Sequence, residues 1–89
     1  MDKQTLHVRI ISPQQLILET EALSVSSINA QGPFDILPLH ANFLTVIEDT
    51  PIIIRPPKQK PLEFTFPLSI IRVTENKVNI YTYIQPQTD

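Results

Sequence analysis

Nine prolines are spread from Pro13 to Pro86 along a chain of 89 residues. Proline removes a backbone donor and clashes with the preceding turn of a helix, so each one is a break for an interior helix. The two longest stretches free of proline are residues 14–32 and 68–85, and few long helices fit between such breaks. The residues filling the gaps favour the alternative. Ile, Val and Thr supply 26 of the 89 positions, and β-branched side chains suit a pleated, half-buried surface.

Period-two alternation recurs in those gaps. "LHVRII" sets Leu6, Val8 and Ile10 on one face with His7 and Arg9 opposite. "LEFTF" does the same with Leu62, Phe64 and Phe66 against Glu63 and Thr65, and "KVNIYTY" with Val78, Ile80 and Thr82 against Asn79, Tyr81 and Tyr83. "ALSVSS" alternates Leu23 and Val25 with Ser24 and Ser26. Ile52, Ile53 and Ile54 are apolar on both faces, which predicts burial on both faces or cover by a partner. Turn signals separate the runs at Ser12-Pro13, Ala30 to Pro33, Glu48 to Thr50, Pro56 to Pro61 and Thr74 to Asn76. Short strands at this spacing predict a sandwich or a barrel. "QQLILETEALS", from Gln14, fits a short helix loosely through Leu16, Ile17, Glu19 and Leu23; the better fit is two strands with a turn at Thr20-Glu21. One domain is expected over residues 1–89, with its core within about 5–84 and a frayed tail from Pro86.

Little chemistry is on offer. A single glycine excludes a glycine-rich phosphate loop, and the absence of cysteine excludes disulfides and thiolate metal sites. His7 and His40 are far apart, with no cluster at metal-ligand spacing, and His7 reads as a solvated surface residue. Asp35 and His40 are close enough to suggest an acid–base pair, but no nucleophile or orienting group accompanies them, so local turn hydrogen bonds are the better reading. No catalytic residue, metal, cofactor or small-molecule substrate is expected. A net charge of -2 argues against nucleic acid. No run approaches the roughly 20 apolar residues of a membrane span, and the first residues lack a signal-peptide core, so an intracellular chain is expected. Tyr81 and Tyr83 share a strand face, either as a cross-strand packing stripe or as an exposed contact patch; packing is the plainer reading.

Residues 32–47, "GPFDILPLHANFLTVI", hold the only glycine. Gly32-Pro33 permits a sharp turn, because glycine tolerates positive φ and proline pins the next φ near -65°. Pro38 ends the strand that follows and holds Leu37 extended. Leu39 to Asn42 then carry the chain to a strand from Phe43 to Ile47. The residues describe two strands joined by a corner that crosses between sheets. It either closes a core or presents a contact surface.

That stretch resembles "GEFGILPGHAPLLTAL", a segment typical of the epsilon subunit of F-type ATP synthases, which is called delta in mitochondria. Leu37-Pro38-Leu39-His40-Ala41 is the most specific part, and the resemblance extends over roughly residues 5–84. It includes the first strand before Ser12-Pro13 and a closing strand "KVNIYTY". It implies an all-β fold: a flattened β-sandwich of about ten short, mainly antiparallel strands. It also implies a noncatalytic rotor subunit of a proton- or sodium-translocating enzyme, peripheral on the cytoplasmic side of a bacterial inner membrane. Such a subunit would couple the c-ring to the gamma subunit and the catalytic head. By this resemblance Leu37, Leu39, His40 and Phe43 would meet gamma, and Ser12, Gln31, Gly32, Pro33 and Phe34 would meet the c-ring. The alternative is a sandwich that kept the fold and serves as an interaction module elsewhere.

The departures carry expectations of their own. Asp35 and Leu39 stand where the family has glycines, so the corner at Leu39 must bend differently or Leu39 must gain a partner contact. Pro33 replaces an acidic residue, which removes a charged contact with the ring. Pro67, near the penultimate strand, needs an edge or a bulge. Typical epsilon subunits continue into a C-terminal helical hairpin that inhibits ATP hydrolysis; a chain ending at Asp89 would lack that regulation.

Overall fold

In the computed structural model "LHVRII" is one strand, "ALSVSS" straddles two strands, and "LEFTF" and "KVNIYTY" run past the ends of theirs. The structure describes residues 4–83. Among them are nine strands and no helix: β1 (Leu6–Ile11), β2 (Leu16–Ala22), β3 (Ser24–Asn29), β4 (Gly32–Ile36), β5 (Phe43–Glu48), β6 (Ile52–Arg55), β7 (Leu62–Phe64), β8 (Leu68–Thr74) and β9 (Lys77–Thr82). The tail expected from Pro86 lies outside the described residues. Five strands form one sheet in the order β2-β1-β9-β8-β5, and four form a second in the order β4-β3-β6-β7. Neighbours are antiparallel except β1 and β9, which run parallel. The result is a β-sandwich, with nine strands where about ten were expected.

Alternation places the core. Val8 and Ile10 of β1, Val78 and Ile80 of β9, and Ile71 and Val73 of β8 point inward from the larger sheet and are fully or almost fully buried. Val25, Ile36, Ile52 and Ile54 meet them from the smaller one. Ile53, between two buried isoleucines, is only half-buried, so β6 is not covered on both faces. Phe34, Phe43, Leu62, Phe64 and Phe66 pack around the edge of this core.

The chain does not turn at Thr20-Glu21. β2 runs straight through them, with Thr20 opposite Val8 and Glu21 opposite His7. Ladder pairing with β1 satisfies the backbone there, and neither residue demands turn geometry. The break falls three residues later, at Leu23. Its N–H donates to the Arg55 carbonyl at 2.7 Å, and the next residue starts β3 in the other sheet. Leu23 is therefore a pivot between sheets, and it does not share a buried face with Val25. β3 starts beside one edge strand of the large sheet and ends near the other, where Asn29 Nδ2 donates to Thr45 Oγ1 of β5 at 2.9 Å. Pro67 needs no bulge: it lies in the connection just before β8, where a missing donor costs no ladder bond.

Two core substitutions have opposite expected effects. Ile80→Ala, at the centre of the large sheet, is expected to lower stability by about 2–5 kcal/mol in denaturant titration. Ser69 is buried opposite Thr82, and its Oγ has no hydrogen-bond partner among the described residues. Ser69→Ala removes an unsatisfied group and should leave stability unchanged or raise it by about 1 kcal/mol in the same measurement.

Candidate docking surface

The register of the large sheet brings apolar side chains into line on its outer face. Leu16 pairs with Ile11, Ile11 with Tyr81, Tyr81 with Ile70, and Ile70 with Val46. One apolar row thus crosses all five strands. Leu16, Tyr81, Ile70 and Val46 are between 41% and 50% exposed, far more than a packed face allows. Leu68 and Tyr83 extend the row toward one end of the sheet, around a shallow depression of about 360 Å³. Both tyrosines lie on the exposed face of the sheet, and Tyr81 is at the same time the cross-strand neighbour of Ile70. Contiguous exposed apolar surface of this kind marks a protein contact site. Each strand taken alone shows only one or two of these residues; the row exists only once the register is set.

The other half of the same face is polar. His7 lies between two carboxylates of the neighbouring strand, its Nε2 2.6 Å from Glu19 Oε2 and its Nδ1 2.8 Å from Glu21 Oε2. Arg9 Nε stands 4.0 Å from Glu19 Oε2, and Lys77 is the cross-strand neighbour of His7 on β9. Hydrogen bonds to Glu21 and then Glu19 raise the His7 pKa, because only the doubly protonated ring can donate to both carboxylates. Glu21 moves down, chiefly through the hydrogen bond from the Thr5 hydroxyl and then through His7. His7 is therefore a surface side chain clasped between two carboxylates, where the sequence suggested a merely solvated residue. The reading of a turn at Thr20-Glu21 concealed the pairing; the alternation of Glu19 and Glu21 with Thr20 was the signal for it.

The corner that follows β4 is a tight turn. His40 N–H donates to the Leu37 carbonyl at 3.1 Å, closing a four-residue turn with Pro38 and Leu39 at its centre. Leu39 has φ 69°, so the corner does not bend differently to suit a leucine. Asp35, at the other family glycine position, is ordinary strand paired with Ser26. Leu37 and Leu39 are 55% and 75% exposed. His40 and Phe43 pack edge to face with centroids 5.5 Å apart, and Phe43 meets Phe34 at 5.4 Å. The residues assigned to gamma and to the c-ring thus meet at Phe43, with both phenylalanines turned toward the core.

The β3–β4 turn is Ala30-Gln31. Asn29 Oδ1 accepts from Gln31 N–H at 2.8 Å, and Gly32 at φ 121° receives the chain. Neither central residue has positive φ, and Asn first with Gly last suits a type I turn. Gln31 and Pro33 are exposed. Ser12 is a different case. It is buried, and its Oγ donates to the Gln15 carbonyl and accepts from the Gln14 and Gln15 amides, so the hydroxyl is consumed by its own turn. β9 and β8 separate β1 from β5 in the sheet. At about 4.8 Å per strand, that sets β1, which leads into the Ser12 turn, on the order of 14 Å from β5, beside which β3 ends. No cluster of His, Asp or Glu able to hold a metal occurs among the described residues.

These features define a class: a small all-β sandwich whose surface carries an exposed apolar face. A family model described as "ATP synthase, Delta/Epsilon chain, beta-sandwich domain" matches residues 5–83, and the chain belongs to that family. Comparison with curated proteins returns no significant match. Among solved structures, the chain resembles a subunit of the Euglena gracilis mitochondrial ATP synthase, in a structure of OSCP, F1 and c-ring, with TM-score 0.80 and 12% identity. It also resembles a chain of the Tetrahymena thermophila mitochondrial ATP synthase central stalk and c-ring, with TM-score 0.75 and 18% identity. The matches cover 88% and 94% of this chain, and 50% and 67% of those chains respectively. At such identities the likeness is one of fold.

The His7 cluster gives a pH dependence with a definite sign. A raised histidine pKa contributes stability that is complete below about pH 6.5 and is lost as pH rises through the folded-state value. A lowered Glu21 contributes above about pH 4.5 and is lost as pH falls through its own folded-state value. Both contributions are complete between those limits. Tm should therefore fall from pH 6.5 toward 8.5 in the wild type and stay flatter in His7→Gln. The difference will be small, because the groups are exposed.

Proposed function

We propose that this chain is a noncatalytic central-stalk subunit of an F-type ATP synthase, peripheral to the membrane, that couples rotation of the c-ring to the gamma subunit. The apolar row across the outer face of the five-stranded sheet carries the reading. A domain of this family with an unbroken apolar stripe, flanked by a charged half-face, has the layout of an interface core beside a polar rim. Leu37, Leu39 and the half-buried His40 provide a second contact to the stalk from the corner before β5. Phe43 and Phe34 support that corner from inside. The turn at Gln31, with Gly32 and Pro33, is the surface for the ring loops. Its charge-free sequence implies contact through shape and backbone hydrogen bonds. The Ser12-Pro13 corner contributes through Pro13 and the rim of the depression beside it.

The mechanical part of this role follows from packing. A close-packed β-branched interior has low compressibility and transmits strain. Torque applied at the ring-facing turn reaches the stalk-facing sheet because β3 links the two directly, through Asn29 and Thr45 at one end and the Leu23 pivot at the other. The chain needs no reactive group for this.

Ile70→Asp and Tyr81→Asp place a charge in the centre of the row without touching the core, since both side chains point outward. Each should keep the circular dichroism spectrum and weaken binding to the gamma subunit by more than about 1 kcal/mol, as measured by calorimetry. Unchanged affinity in both would remove this face from the interface. A folded wild type with no affinity for gamma would favour the interaction module outside the synthase.

A further inference from the structure

The corner at Leu39 carries an expense that the fold alone does not explain. Pro38 and Leu39 are the central pair of a turn closed by His40 N–H to the Leu37 carbonyl. Proline at the first central position and φ 69° at the second give a type II turn. That second position normally takes glycine or asparagine, because an L side chain there crowds the backbone. Type I differs mainly by a flip of the central peptide, accepts proline at the same place, and would return Leu39 to negative φ. Yet the turn holds the strained form with a leucine that is 75% exposed. An exposed side chain gives no packing in return.

What holds the peptide is another part of the chain. Leu39 N–H, the donor of the central peptide, gives a 2.6 Å hydrogen bond to Asn76 Oδ1. Asn76 lies in the two-residue β8–β9 turn, Glu75-Asn76, where both residues have positive φ, 50° and 64°. That pattern is a type I′ hairpin turn, which asparagine tolerates well. The Asn76 carbonyl meanwhile accepts from His7 N–H of β1 at 2.8 Å. The acceptor is therefore anchored on three strands of the large sheet and aimed at one peptide.

We infer that Asn76 is a positioning residue: its side chain selects the type II form of the Leu37–His40 turn and so presents Leu39 outward as an anchor for an apolar pocket on the gamma subunit. The inference rests on the stalk reading above. A strained, exposed leucine fixed by a remote hydrogen bond fits a preorganised contact, in which the ordering cost of the corner is met before the partner arrives. Strain retained at an outward position is itself a pointer to function.

The test uses the full chain, gamma-subunit affinity and Tm. Leu39→Gly should melt no lower than wild type, since glycine suits positive φ, and should bind at least about fivefold more weakly. Asn76→Gly keeps the hairpin turn but deletes the acceptor; it should retain the fold and lose affinity to a similar extent. Asn76→Asp restores an acceptor oxygen and should recover most of the affinity, which a purely structural turn residue would not require. In the Leu39→Gly background, Asn76→Gly should cost less than about twofold more, because residues acting as one unit are not additive. Wild-type affinity in Leu39→Gly or in Asn76→Gly would overturn the inference and leave the stalk reading standing, as would fully independent losses in the double variant. Absence of gamma binding by the wild-type chain would overturn both.

Discussion

The parallel pairing of β9 with β1 is the contact on which the rest depends. β9, the last strand in the described chain, fills the centre of the large sheet, between β1 and β8. Without it the β1–β2 hairpin and the β8–β5 pair would be separate two-stranded ribbons, which are marginal in water. With it Val78 and Ile80 complete the inner face. On the outer face Tyr81 joins Ile11 to Ile70, so the same strand that closes the core also completes the apolar row. The closed core and the exposed apolar row are consequences of one non-local pairing.

That arrangement suits the mechanical role proposed for the chain. Inner-face side chains are buried isoleucine and valine, whose restricted rotamers favour a single packing. The polar groups that could fray such a sandwich are mostly tied down locally. Ser12 closes its own turn, Ser27 Oγ donates to the Pro51 carbonyl at 2.9 Å, and Arg55 Nη1 donates to Ser26 Oγ at 2.8 Å. The corner before β5 differs in kind. It holds a backbone conformation that its own residue disfavours, by a bond from a turn 37 positions away. Local sequence and global fold disagree there, and such disagreements concentrate at functional sites.

Much of the architecture was legible in the residues. Prolines argued against helices, alternation located most of the strands, and the turn signals between the runs fell at connections, with Gly32, Pro33, Glu48 and Thr74 inside the flanking strands. The misreading at Thr20-Glu21 has a simple cause. Alternation of Leu18, Thr20 and Ala22 inward continues without interruption, but Ala and Glu are weak strand markers. Nothing local distinguishes a pivot at Leu23 from a turn before it. The proposed contact surface was only half legible. The corner and the Gln31 turn stood out through their motif. The outer apolar row did not, because its five members come from five strands and were individually indistinguishable from ordinary exposed residues.

What the sequence determined by itself was the kind of structure: an all-β domain, with most of its strands and turns. Those follow from short-range physics, since proline, β-branching and period-two alternation act within a few residues. Only the tertiary structure decided the register, the pivot at Leu23, the clasp on His7 and the left-handed backbone at Leu39. Each of these arises between residues remote in the chain, whose meeting depends on which strands pair and how.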